Sequence, residues 1–299
     1  MGARELTTVV DQMTFTECPR WRDGRLYFSD FYTYRVMSVV PGRDAEEIVS
    51  VPQQPSGLGW LPDGRMLVVS MRDRKILRQE QSGELVEHAD LSAVTGGHVN
   101  DMVVAPSGIA YAGNFGFDLM AGDPIKPTPL VRIDPDGSVS IASEPLMFPN
   151  GSAITPDGTT LVISESIGNR MSAFDIAADG SLGPRRDWAA LGPVPTSTDA
   201  MEALGAVAFA PDGMCLDADG AVWAADALAD RVVRVAEGGE ILEEISTGDE
   251  GVFACMLGGD DGRTLYLCVA PNFDETERSS TRLGRLVATT VDVPHAGTP

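Results

Sequence analysis

The sequence predicts an all-β fold, a six-bladed β-propeller of four-stranded antiparallel blades, from three observations. Turns of one kind recur six times, ending at Gly24, Gly64, Gly108, Gly158, Gly220 and Gly262; Leu-Pro-Asp-Gly64 and Thr-Pro-Asp-Gly158 are typical. Each turn glycine is followed by a short run rich in β-branched and aromatic residues, at 25–30, 65–70, 109–113, 160–164, 221–225 and 263–268, which reads as the second arm of a hairpin. Successive turn glycines lie 40, 44, 50, 62 and 42 residues apart. A four-stranded propeller blade takes about 40 to 50 residues, so each interval holds one blade.

Within several intervals a third, alternating strand follows, as at 75–78, 170–175 and 231–235, each leading into another glycine-containing turn. The two long intervals locate insertions at 115–129 and 192–206, which fall late in their blades and read as loops over one mouth of the channel. Residues 6–10, Leu-Thr-Thr-Val-Val, form a strand without a hairpin of their own and are expected to complete the last blade beside 285–291. Ring closure of this kind removes the exposed edges of an open sheet. The whole chain, 1–299, then reads as one propeller domain. Trp21, Trp60 and Trp223, on or near turns, are expected to pack between blades, and Trp188 to lie in an ordinary strand or loop.

Composition supports a packed fold and narrows the partners. Hydrophobic residues make up 43% of the chain, ample for a core. Forty-four acidic against 22 basic side chains give a net charge of −22, which argues against nucleic acid or an anionic membrane as partner. No leader-like apolar core opens the chain, no run approaches the roughly 18 apolar residues of a membrane span, and a cytoplasmic location is expected. Cys18, Cys215, Cys255 and Cys268 contain no Cys-x-x-Cys pair and read as buried thiols. His88, His98 and His295 are too scattered for a His-Glu-x-x-His zinc site. With no Gly-x-Ser-x-Gly elbow and one central histidine, a Ser-His-Asp hydrolase is also disfavoured.

The position eight residues before the turn glycine reads Ser56, Asn100, Asn150, Asp212 and Ala254, and Glu17 stands seven before Gly24. In a propeller the innermost strand of each blade lines the axial channel, so Glu17, Asn100, Asn150 and Asp212 would converge there. Two carboxylates and two amides, with neither thiolate nor imidazole, suit hard divalent cations. Any one of these residues alone reads equally well as a turn former, since Asn and Asp before Gly are common in turns.

Glu17-Cys-Pro-Arg-Trp21, the Asn100-Asp101 pair, Phe148-Pro-Asn-Gly151 with Thr155-Pro-Asp-Gly158, and Pro211-Asp-Gly-Met-Cys-Leu-Asp217 together resemble the SMP-30/gluconolactonase/regucalcin family, over about residues 14–235. The resemblance implies a six-bladed propeller, one divalent ion in the channel (Ca²⁺ ahead of Mg²⁺, Mn²⁺ or Zn²⁺) and hydrolysis of a small lactone. By motif position it implies Glu17, Asn150 and Asp212 as metal ligands, Asp212 also as general base, and Asn100 as a residue near both metal and substrate. Two positions depart from the family's pattern: His98 replaces an arginine that binds substrate hydroxyls, and Met102 replaces a glycine. Both point away from a heavily hydroxylated sugar, with His98 as a substrate contact, and Phe115, Phe117 and Met120 are expected either to lid the pocket or to pack over its rim. Hydrolysis of another ester or an organophosphate, or a metal-bearing propeller that only binds a ligand, are the alternative functions.

Overall fold

A computed structural model describes residues 4–119 and 121–297, which form six four-stranded antiparallel sheets. The inner strands are Thr16–Arg22, Pro55–Trp60, Val99–Val104, Pro149–Ile154, Pro211–Leu216 and Gly251–Gly258. Each packs against the inner strand of the next blade, and the sixth packs against the first, so the sheets close a ring around one axis. All six predicted turn glycines have left-handed backbones, with φ between 72° and 87°. A Cβ on Gly24, Gly64, Gly158 or Gly220 would touch nothing, so it is the backbone conformation and not space that calls for glycine there.

The opposite reason holds at Gly57, Gly151 and Gly213, which directly follow Ser56, Asn150 and Asp212. A Cβ on these residues would fall 2.5 Å from Met102 N, 2.3 Å from the Asp212 carbonyl oxygen and 2.4 Å from the Ala254 Cβ. The dipeptides Ser-Gly, Asn-Gly and Asp-Gly are therefore not turns. They lie within inner strands, where the glycine lets neighbouring blades approach backbone to backbone.

The early strand, Thr7–Met13, pairs antiparallel with Gly284–Thr290 in the register Thr7↔Ala288 and completes the sixth blade, as the sequence predicts. Trp21 stacks on Tyr266 of that blade at 5.6 Å, and Trp60 meets Tyr27 edge-on at 5.1 Å, so both fill seams between blades. Trp223 is fully buried, and Trp188 lies in the strand Arg186–Ala190.

Two short helices were not expected. α1, Ala200–Ala206, lies in the second insertion, and α2, Glu275–Ser280, lies in the connection from Thr264–Ala270 to Gly284–Thr290, the second and third strands of the sixth blade. Asp199 and Asp274 cap them, each accepting from the backbone N–H three residues on. The two insertions are joined by a hydrogen bond from Ile125 N to the Thr198 carbonyl, 2.8 Å. No helix among the described residues is long and apolar enough to cross a membrane.

The inter-blade contacts make a direct stability prediction. Gly151→Ala must push a methyl group into the backbone of the next blade and should cost about 1–3 kcal/mol in urea unfolding. Gly205→Ala, on the open face of α1 where a Cβ meets nothing, should be neutral or slightly stabilising. Equal effects would mean that the inner strands do not hold one another at this distance.

Candidate active site

Every inner strand slips register once near its start: between Glu17 and Arg20, Pro55 and Leu58, Val99 and Met102, Pro149 and Ser152, Pro211 and Met214, and Val252 and Ala254. A bulge of this kind re-aims side chains that regular alternation would point elsewhere. Proline opens three of these strands, where no ladder N–H is lost, and the donor residue follows it. Glu17, Asn100, Asn150 and Asp212 all line one cavity at this end of the channel.

Two other members of the repeat position behave differently. Ser56 does not line the cavity; its hydroxyl donates to Asn100 Oδ1 at 3.4 Å from behind. Ala254 is also off the cavity, buried against Gly213. The sixth slip skips one residue where the others skip two, so the side chain it turns inward is Phe253.

The donors are held by their surroundings. Cys18 N donates to Glu17 Oε2 at 2.9 Å. Asn150 Nδ2 donates to Ser166 Oγ at 3.1 Å, and that hydroxyl donates to the Pro211 carbonyl at 2.9 Å, which leaves Asn150 Oδ1 available. Asn100 is oriented the other way: its Oδ1 accepts from Ser56, so its Nδ2 is the group free to face the cavity. Below the site, Arg20 bonds Asp101 at 2.6 Å and donates to the carbonyls of Leu58 and Met102, joining three blades. Sequence reasoning did not single out Ser166 or the Arg20–Asp101 pair, because both act through partners on other blades.

Electrostatics favour a cation. Burial, and then the charge of Asp212, push the Glu17 carboxyl well above its usual range. Burial and then Asp101 push Asp212 up to about 8. Among the described residues neither carboxylate forms an ion pair, and the nearby Arg20 is engaged by Asp101. A buried and a half-buried carboxylate so placed hold protons or a positive ion. Among the described residues no three His, Cys, Asp or Glu side chains cluster as a metal site. The available set is Glu17, Asp212 and the Asn150 amide oxygen, with Asn100 alongside, and such oxygen donors fit Ca²⁺, Mg²⁺ or Mn²⁺ better than Zn²⁺.

Above this polar floor the wall is apolar. Phe15, Phe31 and Phe253 stand on one side and Phe115 and Phe148 on the other. His98 lies on the wall 5.8 Å from the Phe115 ring, and burial lowers its pKa, so the imidazole is neutral at neutral pH. Both insertions reach the mouth, through Phe115 and Leu119 of the first and Leu204 of the second. One expectation is corrected: Met102 is fully buried in the core and does not reach the cavity, because the slip turns Asn100 inward and leaves Met102 paired with Ala112. Of the two placements open to Phe117 it takes the packed one, edge-on against Phe148 at 6.0 Å. Met120 lies outside the described residues.

Residues 15–271 match the profile of the SMP-30/gluconolactonase/LRE-like region. A 6-deoxy-6-sulfogluconolactonase of Pseudomonas putida is 25% identical over 291 residues, covering 95% of this chain and 93% of that protein. A pentonolactonase of Haloferax volcanii is 25% identical over 268 residues, covering 89% and 85%. The crystal structure of regucalcin from Agrobacterium tumefaciens, described as a calcium-binding protein, superposes with a TM-score of 0.78 at 18% identity, over 100% of this chain and 99% of that one, a likeness of fold.

The raised carboxyl pKa values set a sign for pH dependence. With Asp212 near 8 in the folded protein and 3.8 as its ordinary value, the folded state binds the extra proton between them. Stability contributed by that proton is present at low pH and lost as pH rises through about 8. Metal-stripped protein should therefore show a melting temperature that falls across this window in calorimetry, and Asp212→Asn should flatten the fall. An identical slope in the variant would mean that Asp212 does not hold that proton.

Proposed function

The chain belongs to the SMP-30/gluconolactonase/LRE-like family, and from that premise we propose that it is a metal-dependent lactonase working at the floor of its channel. Relatives named as lactonases, aligned along most of the chain, support a lactonase-type function. The observation that carries the finer reading is the convergence of buried Glu17 and half-buried Asp212, neither in an ion pair among the described residues, with two oppositely oriented asparagine amides.

Glu17, Asn150 and Asp212 would hold the ion. When bound, a divalent cation polarises the lactone carbonyl and takes up charge developing on its oxygen. Asn100 contributes in the same direction: with Oδ1 fixed by Ser56, its Nδ2 can donate to that oxygen. Asp212 serves as general base. It takes a proton from the attacking water as the water oxygen bonds to the acyl carbon, and returns it to the ring oxygen as the acyl C–O bond breaks. The product is the open-chain hydroxy acid, whose carboxyl proton passes to solvent. Neutral His98 can donate or accept one hydrogen bond to the substrate from the wall.

Two measurements test this. Chelation should lower the melting temperature of protein shown by elemental analysis to carry the ion; 100-fold saturation corresponds to about 2.7 kcal/mol. Asp212→Asn should fold, with a cooperative melt, and lose roughly 100- to 10,000-fold in kcat on a lactone that the parent hydrolyses. Activity retained within a few-fold would remove Asp212 from the role of base.

A further inference from the structure

We infer that the lactone accepted by this site carries an apolar arm, alkyl or aryl, where a sugar lactone carries hydroxyls. The inference rests on the lactonase reading and adds the substrate class. Its first support is the character of the wall. Phe15 lies 5.5 Å from Phe31 and 4.7 Å from Phe253, making a continuous aromatic surface from the first and sixth blades. Facing it across the ring, Phe115 and Phe148 stack at 4.4 Å. Five phenyl rings around one cavity offer dispersion contact and no hydrogen bonds.

The polar groups above the floor are few, and most are already engaged. Arg72 donates to Gln54 Oε1 at 2.6 Å and pairs with Glu275 at 2.5 Å, while the Ser166 hydroxyl is held between Asn150 and Pro211. The His98 and Tyr32 side chains make no hydrogen bond among the described residues, and Gln54 Nε2 and Glu275 Oε2 keep capacity beside the Arg72 contacts. These few groups lie on a wall that is otherwise aromatic, where the several hydroxyls of an aldonolactone would not all find partners. Each hydroxyl buried without a partner costs roughly five- to 150-fold in kcat/KM.

The dimensions of the site place the arm. The cavity holds about 130 Å³, close to the roughly 150 Å³ that accommodates benzene in a protein core, so one small ring fills it. Anything attached to that ring must lie in the mouth. There, Leu228 and Phe273 are each 41% exposed, and Phe273 meets Phe253 edge-on at 6.3 Å. Both residues border the cavity, and an alkyl or aryl arm leaving the ring would cover them.

The test compares three lactones with the protein carrying one chosen divalent ion, after subtraction of uncatalysed hydrolysis. D-glucono-δ-lactone is the hydroxylated ring, δ-valerolactone the bare ring and δ-nonalactone the ring with a butyl arm. δ-Nonalactone should exceed gluconolactone at least about ten-fold in kcat/KM, with valerolactone between them. In Phe273→Ser, whose exposed position should leave the melt unchanged, the nonalactone-to-valerolactone ratio should fall about five-fold. Gluconolactone matching or exceeding nonalactone overturns the inference and leaves the lactonase reading standing. A ratio unchanged in Phe273→Ser overturns the seat proposed for the arm. Hydrolysis of none of the three with any divalent ion overturns the lactonase reading itself, and this inference with it.

Discussion

A strand paired without interruption alternates its side chains between two faces, and at the crowded centre of a ring this would bury some donors in the seams between blades. The single register slip near the start of each inner strand removes that restriction. It frees one or two residues from the ladder at the same height in all six blades, and the channel end is assembled from them. Chemistry at the site is then a matter of which side chain occupies or borders the slip. Asn100, Asn150, Asp212 and Phe253 enter the cavity from the slips of four blades, Glu17 enters from the last paired position before the slip of the first, and Ser56, in the slip of the second, supports its neighbour.

This geometry has a conformational cost. Cys18, Gln54 and Phe148, all non-glycine residues beside the slips, have left-handed φ of 50°, 74° and 62°. Such residues cost on the order of 1–3 kcal/mol each and persist only where surrounding structure enforces them. Here Pro19, Pro55 and Pro149 follow directly, and the ring closure through Thr7–Met13 fixes the blades that carry them. The close approach at Gly57, Gly151 and Gly213 serves the same end, because it brings donors from separate blades near enough to share one ligand.

The ring was legible in the sequence because its signal is repeated. Six turn glycines, their spacing and the following β-branched runs agree with one another, and the inner position could be counted back from each glycine. Counting fails where the slip changes length. In the sixth blade it arrives at Ala254, one residue from Phe253, because that slip omits a residue. The burial of Met102 was hidden for a related reason, since a residue two places past Asn100 is expected on the same face unless the strand is known to slip between them. The caps of α1 and α2 were available as Asp199 with Glu202 and Asp274 with Glu277, but helices of seven and six residues are too short to show a helical period. Of the aromatic wall only Phe115, on its insertion, was placed at the pocket from the sequence; Phe15, Phe31, Phe148 and Phe253 come from separate parts of the chain and share no motif that would bring them together.

The contrast between wall and floor bears on turnover as well as binding. An apolar collar lowers the effective dielectric around Glu17, Asp212 and Asp101, which strengthens every charge interaction at the floor. On the lactonase reading a neutral molecule enters this field and an anion is produced within it. The new carboxylate forms beside Glu17 and Asp212, on a chain of net charge −22. Once that carboxylate leaves the floor, the phenyl rings of the wall give it no hydrogen bond to replace those of water. The wall thus offers the charged product less than it offers the neutral lactone, which favours departure over retention.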